Sequence, residues 1–424
     1  MTSAASSSAP SPSSGASPRR PASPAAAILD LLASTRPVAV TEVPTAEAVG
    51  RYLAAGRPLH SDRDSPAHDV SAMDGFCVRA ADLPGPLPIA GEVRIGLAPP
   101  DQPAGACLRI VTGGPVPAGA DLVVKREDVH DDGRRITIDA AVAARLRPGE
   151  HIRRRGENGR AGAAVGRDGQ RVTPALVGTL ASMGIASVAV HRPLRVAVLV
   201  TGDELRPSDA PRLEPWELRD SNGPALVALL RAAPWIGTID ARRVADDEAA
   251  LDAAIDHALA TCDALLLTGG VSMGHRDFVP GCLARAGVAT HFHTVPQRPG
   301  KPVLGGIARA GQPVLALPGN PVSVLVTARR MAWPVLRRLA GGPATDVSAD
   351  AMVQIRTPDA KRLDLWWQRL VREVEPGSVD LVGGMGSGDV LAAGASDGFV
   401  ELPPGASGFG PWPFHRWIPG GDRA

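Results

Sequence analysis

Three short loops carry the residue types that could do chemistry: TGDEL (Thr201–Leu205), TGGVSMGHRDF (Thr268–Phe278) and LPGNPVS (Leu317–Ser323). Each directly follows an apolar, β-branched run that reads as a buried strand. Ligands of an open parallel sheet bind outside the carboxyl ends of its strands, so three loops at that edge point to one crevice. Glycine lets backbone approach a ligand closely and aim N–H groups at it. The helix starts that follow favour anions. The set therefore suits a phosphate-bearing ligand. Gly269-Gly270 alone would mark only a turn. In LPGNPVS, Pro318 and Pro321 stiffen a turn around Gly319, Asn320 tolerates unusual backbone angles, and Ser323 falls in the first helical turn. That loop reads equally as an anion nest and as a well-made strand-to-helix turn.

Carboxylates share this edge: Asp203 and Glu204, Asp246 and Asp247, and Asp277. An anionic ligand beside them needs an intervening cation, and Mg²⁺ is suited because it accepts one or two carboxylates plus phosphate oxygens. Asp247 also reads as the cap of a helix starting near Glu248, which leaves Asp246 to face the crevice. Arg298 and Lys301 in RPGKP could hold an oxyanion, or could form an ordinary solvated basic loop. His291 and His293 fall on one face of a strand with no third ligand at useful spacing, so packing or hydrogen bonding is expected of them. Upstream, DVSAMDGFCV (Asp69–Val78), IVTGGPVPAGADLVV (Ile110–Val124) and the cationic IRRRGEN (Ile152–Asn158) stand out, though each alone reads as a turn or a solvated face.

The elements that must position these loops follow from periodicity. LRVAVLVTG, TIDARRVADD, DALLLTGG, ATHFHTV and PVLAL read as strands, alternating with helices over DSNGPALVALLRAA (capped near Asp220 or Ser221), DEAALDAAIDHALATC, DFVPGCLARAG and the run after LPGN. Two-sided apolar strands alternating with helices predict a doubly wound parallel sheet over residues 193–342. Before it, PAAAILDLLAS and TEVPTAEAVGRYLAAG read as helices, the second with Thr45 as cap and Gly56 as stop, and TPALVGTLASMG as another. These give a discontinuous helical segment, 26–61 with 152–192, around an inserted β-rich domain at 62–151. Residues 1–25 form a Ser/Ala/Pro-rich tail expected to be disordered, and 343–424 a C-terminal β domain.

The bulk properties narrow the function class. The chain has 424 residues, 44% of them apolar and 21% charged, which excludes disorder throughout. A net charge of +1 lacks the basic excess of a non-specific nucleic-acid binder. Only Lys125, Lys301 and Lys361 are lysines, so the positive charge is almost all arginine. Cys77, Cys107, Cys262 and Cys282 lack metal-ligand spacing and are expected to be buried and reduced. No apolar run approaches a bilayer span and the N-terminus lacks a secretory pattern, so a cytoplasmic protein is expected, with no membrane and no nucleic-acid partner.

In order, SAMDGF, TGGPVP, IRRRGEN, TGDEL, DSNGPAL, VADD, TGGVSMG-x-x-DF, PGKP, LPGNPVS and RLDLWWQR resemble the molybdopterin molybdenumtransferase family, MoeA and the E domain of gephyrin, over Pro44 to Pro404. The resemblance implies a multidomain α/β fold. Its parts are a MogA-like central domain, a helical segment, the inserted β-rich domain and a C-terminal β-barrel-like domain. It further implies insertion of molybdate into adenylylated molybdopterin with Mg²⁺-assisted release of AMP, or else a weakened paralogue that binds and delivers molybdopterin or the finished cofactor. A homodimer is implied whose active site lies between subunits. The adenylyltransferase preceding it in the pathway and recipient molybdoenzymes are the implied further partners. Carried over by motif, Asp74, Glu204, Asp246 and Asp277 are the implied catalytic group, the last three also holding Mg²⁺. Implied contacts to pterin, phosphate and molybdate are Thr112, Arg153, Thr201, Gly202, Asp203, Ser221, Asn222, Gly269, Gly270, Ser272, Arg298, Lys301, Pro318, Gly319, Asn320, Pro321 and Ser323. The chain departs from the family at four of these or neighbouring positions. Asn158 stands where an acid is common, His275 where a carboxylate stands, Thr294 where lysine is frequent, and Arg298 where another lysine is usual. The final stretch, GASGFGPWPFHRWIPGG, lacks the family's closing strand pattern.

Overall fold

The computed structural model describes residues 20–54, 56, 58–271 and 277–418. We label a first helix α1 (Pro24–Ser34) and then the central elements: β1 (Leu194–Thr201), α2 (Asn222–Arg231), β2 (Ile236–Val244), α3 (Glu248–Thr261), β3 (Ala264–Thr268), α4 (Val279–Arg285), β4 (Ala289–His293), β5 (Leu304–Ile307), β6 (Pro313–Leu317) and α5 (Pro321–Thr327). The strands lie in the order β2-β1-β3-β6-β5-β4. Strands β2, β1, β3 and β6 are parallel. The expected parallel sheet thus holds over four strands, whereas β5 and β4 run antiparallel at one edge. Only residues 308–312 separate β5 from β6, too few for the crossover that parallel strands need.

The continuous apolar strands exist because both faces are covered. Val196, Val198, Val200, Leu266 and Leu315 point into one core. The alternate residues Ala197, Leu199, Leu265, Leu267 and Val314 point into the other, beneath α3 and α4. Helix α1 belongs to the first core. Ile28, Leu31 and Leu32 are buried against Phe292 and Val303, and Asp30 Oδ2 bonds His291 Nδ1 at 2.9 Å. Its apolar stripe thus packs on the central sheet. The helix starts at Pro24, inside the expected tail, because Ser23 Oγ accepts from the Ala26 N–H at 3.0 Å.

The second predicted helix does not form. Val40–Pro44 is instead a strand paired antiparallel with Ser187–His191, followed by one 3₁₀ turn over Thr45–Ala48. Thr45 donates its hydroxyl to the Ile185 carbonyl rather than capping a helix. Pairing with a distant strand overrides the weak local helical pattern. TPALVGTLASMG does form its helix, Pro174–Ser182, capped by Thr173. Between these pieces sits a six-stranded β-rich sheet whose core contains Phe76, Leu122, Val124 and Ile136.

The C-terminal strands are β7 (Ala351–Ile355), β8 (Trp366–Glu375), β9 (Ser378–Leu381), β10 (Gly398–Leu402) and β11 (Trp412–Arg416). They pair β8-β9-β7-β11-β10, and β10 returns to β8, which closes a barrel. The expectation that a closing strand is missing is thus corrected. WPFHR alternates so that Phe414 fills the barrel core, and β11 pairs with both β7 and β10 despite Pro413. The four cysteines are buried and free, and burial pushes the Cys77 thiol up to about 12. Among the described residues no helix is long and apolar enough to cross a membrane.

The barrel is tied to the central unit through a π-helical segment, Ala328–Ala332, directly after α5. Arg330 forms a bidentate pair with Glu401 of β10, at 2.8 and 3.0 Å, with both side chains buried. Arg329 reaches Asp350 at 2.5 Å and the Arg416 carbonyl at 2.6 Å. Removing one member of a buried ion pair leaves an uncompensated charge. Glu401→Ala should therefore cost about 3–5 kcal/mol, measured as a lower urea midpoint by tryptophan fluorescence. Arg330→Met combined with Glu401→Leu should cost much less. An unchanged midpoint in Glu401→Ala would remove the pair from the account of how the barrel is held.

Candidate functional site

The site begins with strand register. Val200, Thr268 and Leu317 lie side by side across β1, β3 and β6, and Thr201 lies beside Val244 of β2. The loops after β1, β3 and β6 therefore leave the sheet at one level, and β1 and β3 flank the point where the strand order reverses. Their backbones touch. A Cβ on Gly269 would lie 2.6 Å from Thr201 Oγ1 and 2.7 Å from the Thr201 carbonyl, and Gly269 has φ +91°, so only glycine fits. The Gly269 N–H donates to the Leu317 carbonyl at 3.3 Å, and Thr201 Oγ1 to the Thr268 carbonyl at 3.3 Å. Asn222, at the start of α2, completes the knot. Its Nδ2 donates to the Gly319 carbonyl at 2.8 Å and to Thr268 Oγ1 at 3.4 Å, while its buried Oδ1 has no partner among the described residues.

The carboxylates lie around this knot. Asp203 Oδ1 accepts the Asp246 N–H at 3.2 Å, which joins the loop after β2 to TGDEL. Asp247 caps α3 as expected, accepting from Ala250 at 2.9 Å. The Glu204 carboxylate folds back over Gly202, where an added Cβ would meet it at 2.9 Å. Asp277 precedes α4. Among the described residues no three His, Cys, Asp or Glu side chains converge on one metal position, so Glu204, Asp246 and Asp277 do not form an all-protein cage. Asp220, rather than Ser221, caps the start of α2 by accepting from the Gly223 N–H at 2.9 Å.

LPGNPVS departs from its reading in two respects. Asn320 has φ −67° and ψ 130°, ordinary extended angles, and its side chain instead donates to Ser387 Oγ at 2.9 Å. Ser323 is buried, while Gly319 and Asn320 are exposed, so the accessible part of this loop is Gly319-Asn320. Lys301 lines a cavity beside Val271, whereas Arg298 pairs in a short strand with Trp367 of the barrel and is absent from that lining. His293 Nε2 donates to the Val271 carbonyl at 2.9 Å, and His291 holds α1. Ser272 and His275 lie outside the described residues.

A second group forms in the β-rich part. Asp74 Oδ1 accepts both the backbone N–H of Thr112 at 2.7 Å and its hydroxyl at 2.8 Å. These bonds, the backbone one first, hold the exposed Asp74 carboxyl below the usual carboxylate range. Ile152–Arg153 pairs with Val70–Ser71, so all three upstream motifs meet. Each arginine of the cationic cluster is matched to an acid or an amide. Arg153 bonds Asn158 at 2.6 Å and Glu157 at 3.3 Å, Arg154 pairs with Asp69 at 2.7 Å, and Arg155 with Asp64 at 2.5 Å. Arg153 thus already has acceptors within its own loop.

Known proteins resemble this chain over most of its length. A family model for the MoeA N-terminal region (domain I and II) matches residues 22–184, and one for a probable molybdopterin binding domain matches 197–338. A molybdopterin molybdenumtransferase of Synechococcus elongatus is 37% identical over 349 residues, covering 80% of this chain and 84% of that relative. The chain belongs to the MoeA family. Molybdopterin molybdenumtransferase 2 of Mycobacterium tuberculosis is 33% identical, with 89% and 93% covered. The crystal structure of the MoeA protein from Pyrococcus horikosii aligns with a TM-score of 0.72 at 26% identity, covering 92% of this chain and 97% of that one.

Two residues that border these loops carry no signal in the sequence. Ser387, which receives Asn320, sits in GGMGSG, readable only as a glycine-rich spacer. Arg20, which lines the Lys301 cavity, sits in a segment without periodicity. Thr112→Val keeps the backbone bond to Asp74 and removes the hydroxyl bond, so the Asp74 pKa should rise toward its ordinary value in an NMR titration. A lowered carboxyl stabilises the fold above its unfolded pKa and loses that contribution as pH falls through the folded value. The variant's stability deficit should therefore be present at neutral pH and vanish in acid. Unchanged Asp74 titration would show that the hydroxyl contributes nothing.

Proposed function

We propose that this molybdopterin molybdenumtransferase acts in molybdenum cofactor biosynthesis by inserting molybdate into adenylylated molybdopterin, with Mg²⁺-assisted release of AMP. The reading is carried by the level exit of three glycine-bearing loops at the reversal of strand order, knotted through Thr201, Thr268, Asn222 and Gly319. Exposed backbone at Gly319-Asn320 offers N–H groups to a phosphate. The buried Oδ1 of Asn222 needs a donor, and the amide and amine edge of a pterin supplies donors where a phosphate supplies none.

The donor set fits Mg²⁺ in one specific sense. Glu204, Asp246 and Asp277 do not converge, yet Mg²⁺ requires only one or two carboxylates when phosphate oxygens and water complete its shell. When bound there it supplies Lewis-acid stabilisation of the charge that leaves with AMP. The chain's own residues orient the pyrophosphate against the loop knot, and the carboxylates hold the reacting end. Asp74 and Thr112, fixed to each other in the β-rich part, complete the site from the second subunit of a homodimer. The division into 26–61 with 152–192, 62–151, 193–342 and 343–424 belongs to the same proposal. So do upstream exchange with the adenylyltransferase, delivery to molybdoenzymes and a cytoplasmic location.

AMP release from adenylyl-molybdopterin should fall roughly a thousandfold or more in Glu204→Ala and in Asp277→Ala. Wild-type rates in both would sink the catalytic assignment, and tight pterin binding without AMP release in the wild type would move the protein to a delivery role. The inter-subunit arrangement has its own check. Mixing inactive Asp74→Ala with inactive Glu204→Ala chains should restore activity, because each mixed dimer regains one site with both residues intact. If one chain supplied both residues, mixing would restore nothing.

A further inference from the structure

We propose that Arg20, brought in by the segment that leads into α1, is an oxyanion-holding residue of the cavity beside Lys301. A cavity of about 520 Å³ opens next to Val271, and its walls include Arg20, Lys301, His293 and Thr294. Its described lining contains two cations and no carboxylate. Neither the Arg20 guanidinium nor the Lys301 ammonium has an ion-pair or side-chain hydrogen-bond partner among the described residues. Every cation of IRRRGEN is matched to an acid or an amide, so this is the contrasting arrangement in the same molecule. Two unmatched cations across a concave wall select an anion, and a guanidinium adds a planar fork suited to tetrahedral oxyanions.

The cavity wall is built rather than incidental. Thr294 has φ +96°, a left-handed backbone that β-branched residues avoid. It is held there by its N–H to the Val303 carbonyl at 2.9 Å and by the next N–H, of Val295, to the Lys301 carbonyl at 3.0 Å. His293 is pinned to the Val271 carbonyl at 2.9 Å. Strain retained in a cavity wall is a mark of function. Arg20 arrives there because α1 is anchored on the central sheet by Ile28, Leu31, Leu32 and the Asp30–His291 bond, which places Pro21 and Arg20 at the cavity mouth. The N-terminal segment thus supplies a specificity-determining side chain to a site otherwise made by residues some 250 positions later. The ligand chemistry is a tetrahedral oxyanion, either free molybdate or a phosphoryl group.

This inference rests on the proposed molybdate-inserting function, and its test separates the two. Full-length protein is titrated calorimetrically with molybdate alone and with inorganic phosphate alone, comparing wild type, Arg20→Ala, Arg20→Lys and Lys301→Ala. Arg20→Ala should weaken oxyanion binding by about tenfold or more, with partial recovery in Arg20→Lys. Loss confined to molybdate assigns the cavity to the free oxyanion, and loss confined to phosphate assigns it to the phosphoryl group. Arg20 is exposed and precedes α1, so its variants should melt at the wild-type temperature. Wild-type affinity in Arg20→Ala together with weakened affinity in Lys301→Ala would overturn the role of Arg20 and leave the functional reading intact. Binding of neither anion by the wild type would overturn the cavity as an oxyanion site altogether.

Discussion

The whole arrangement depends on one close approach: the backbone of Gly269 against Thr201, at a separation no side chain could share. With β1, β3 and β6 ending in register, that contact forces the loops after them into a single rim. Asn222 then fastens the start of α2 to two of those loops at once through Gly319 and Thr268. A rim made this way is set by the sheet and not by the ligand. Such preorganisation lowers the ordering cost of binding and fixes where backbone N–H groups point. The sheet faces are apolar on both sides, so the strands that carry the rim are held between two cores.

Outlying parts of the chain are attached to this rim by specific polar contacts. The barrel reaches it through Ser387, which accepts from Asn320 and whose carbonyl accepts the Val322 N–H at 3.0 Å. The π-helical segment following α5 anchors the barrel with Arg329 and Arg330. Extra residues in a helix commonly mark functional positions, and here the widened turn presents two successive arginines to β10, β11 and Asp350. His415 lies buried in the same junction, stacked on Phe399, and burial followed by the neighbouring Arg330 and Arg329 keeps its pKa well below the ordinary value. The junction therefore contains a neutral imidazole beside two compensated cations, and its charge balance closes within the two arginine–carboxylate pairs.

Much of the central unit was legible because its signals are redundant. LRVAVLVT and ALLLT are apolar at every position, which only a sheet buried on both faces explains, and the loops after them carry glycine where contact demands it. The rest was hidden for identifiable reasons. TEVPTAEAVG has weak helical periodicity, and its pairing with Ser187–His191 lies about 145 residues away. The antiparallel edge follows from connection length, which periodicity does not weigh. WPFHR carries the alternation of a strand beneath prolines that argue against one. For the site, residue type located the loops but misjudged the partners. Asn320 was read as a backbone-permissive turn residue and serves through its side chain. IRRRGEN was read as a cationic surface, and its acids come from Asp64 and Asp69, nearly ninety residues upstream.

Charge placement decides what each region can bind. In the β-rich group the arginines are already matched, so an incoming anion would first have to displace Asp64, Asp69 or Glu157 at close range. Breaking such pairs offsets most of what the new contact would gain. That region is therefore suited to contributing the Asp74–Thr112 pair, an ordered acceptor and donor, rather than positive charge. At the rim of the central sheet the carboxylates cluster near TGDEL, while the unmatched cations stand apart in the cavity beside Val271. Negative and positive side chains are thus segregated, the carboxylates near TGDEL and the cations beside Val271. Thr294, which carries no charge, lines the same cavity as Arg20 and Lys301, so the positive charge of that wall comes from the N-terminal segment and from the loop after β4.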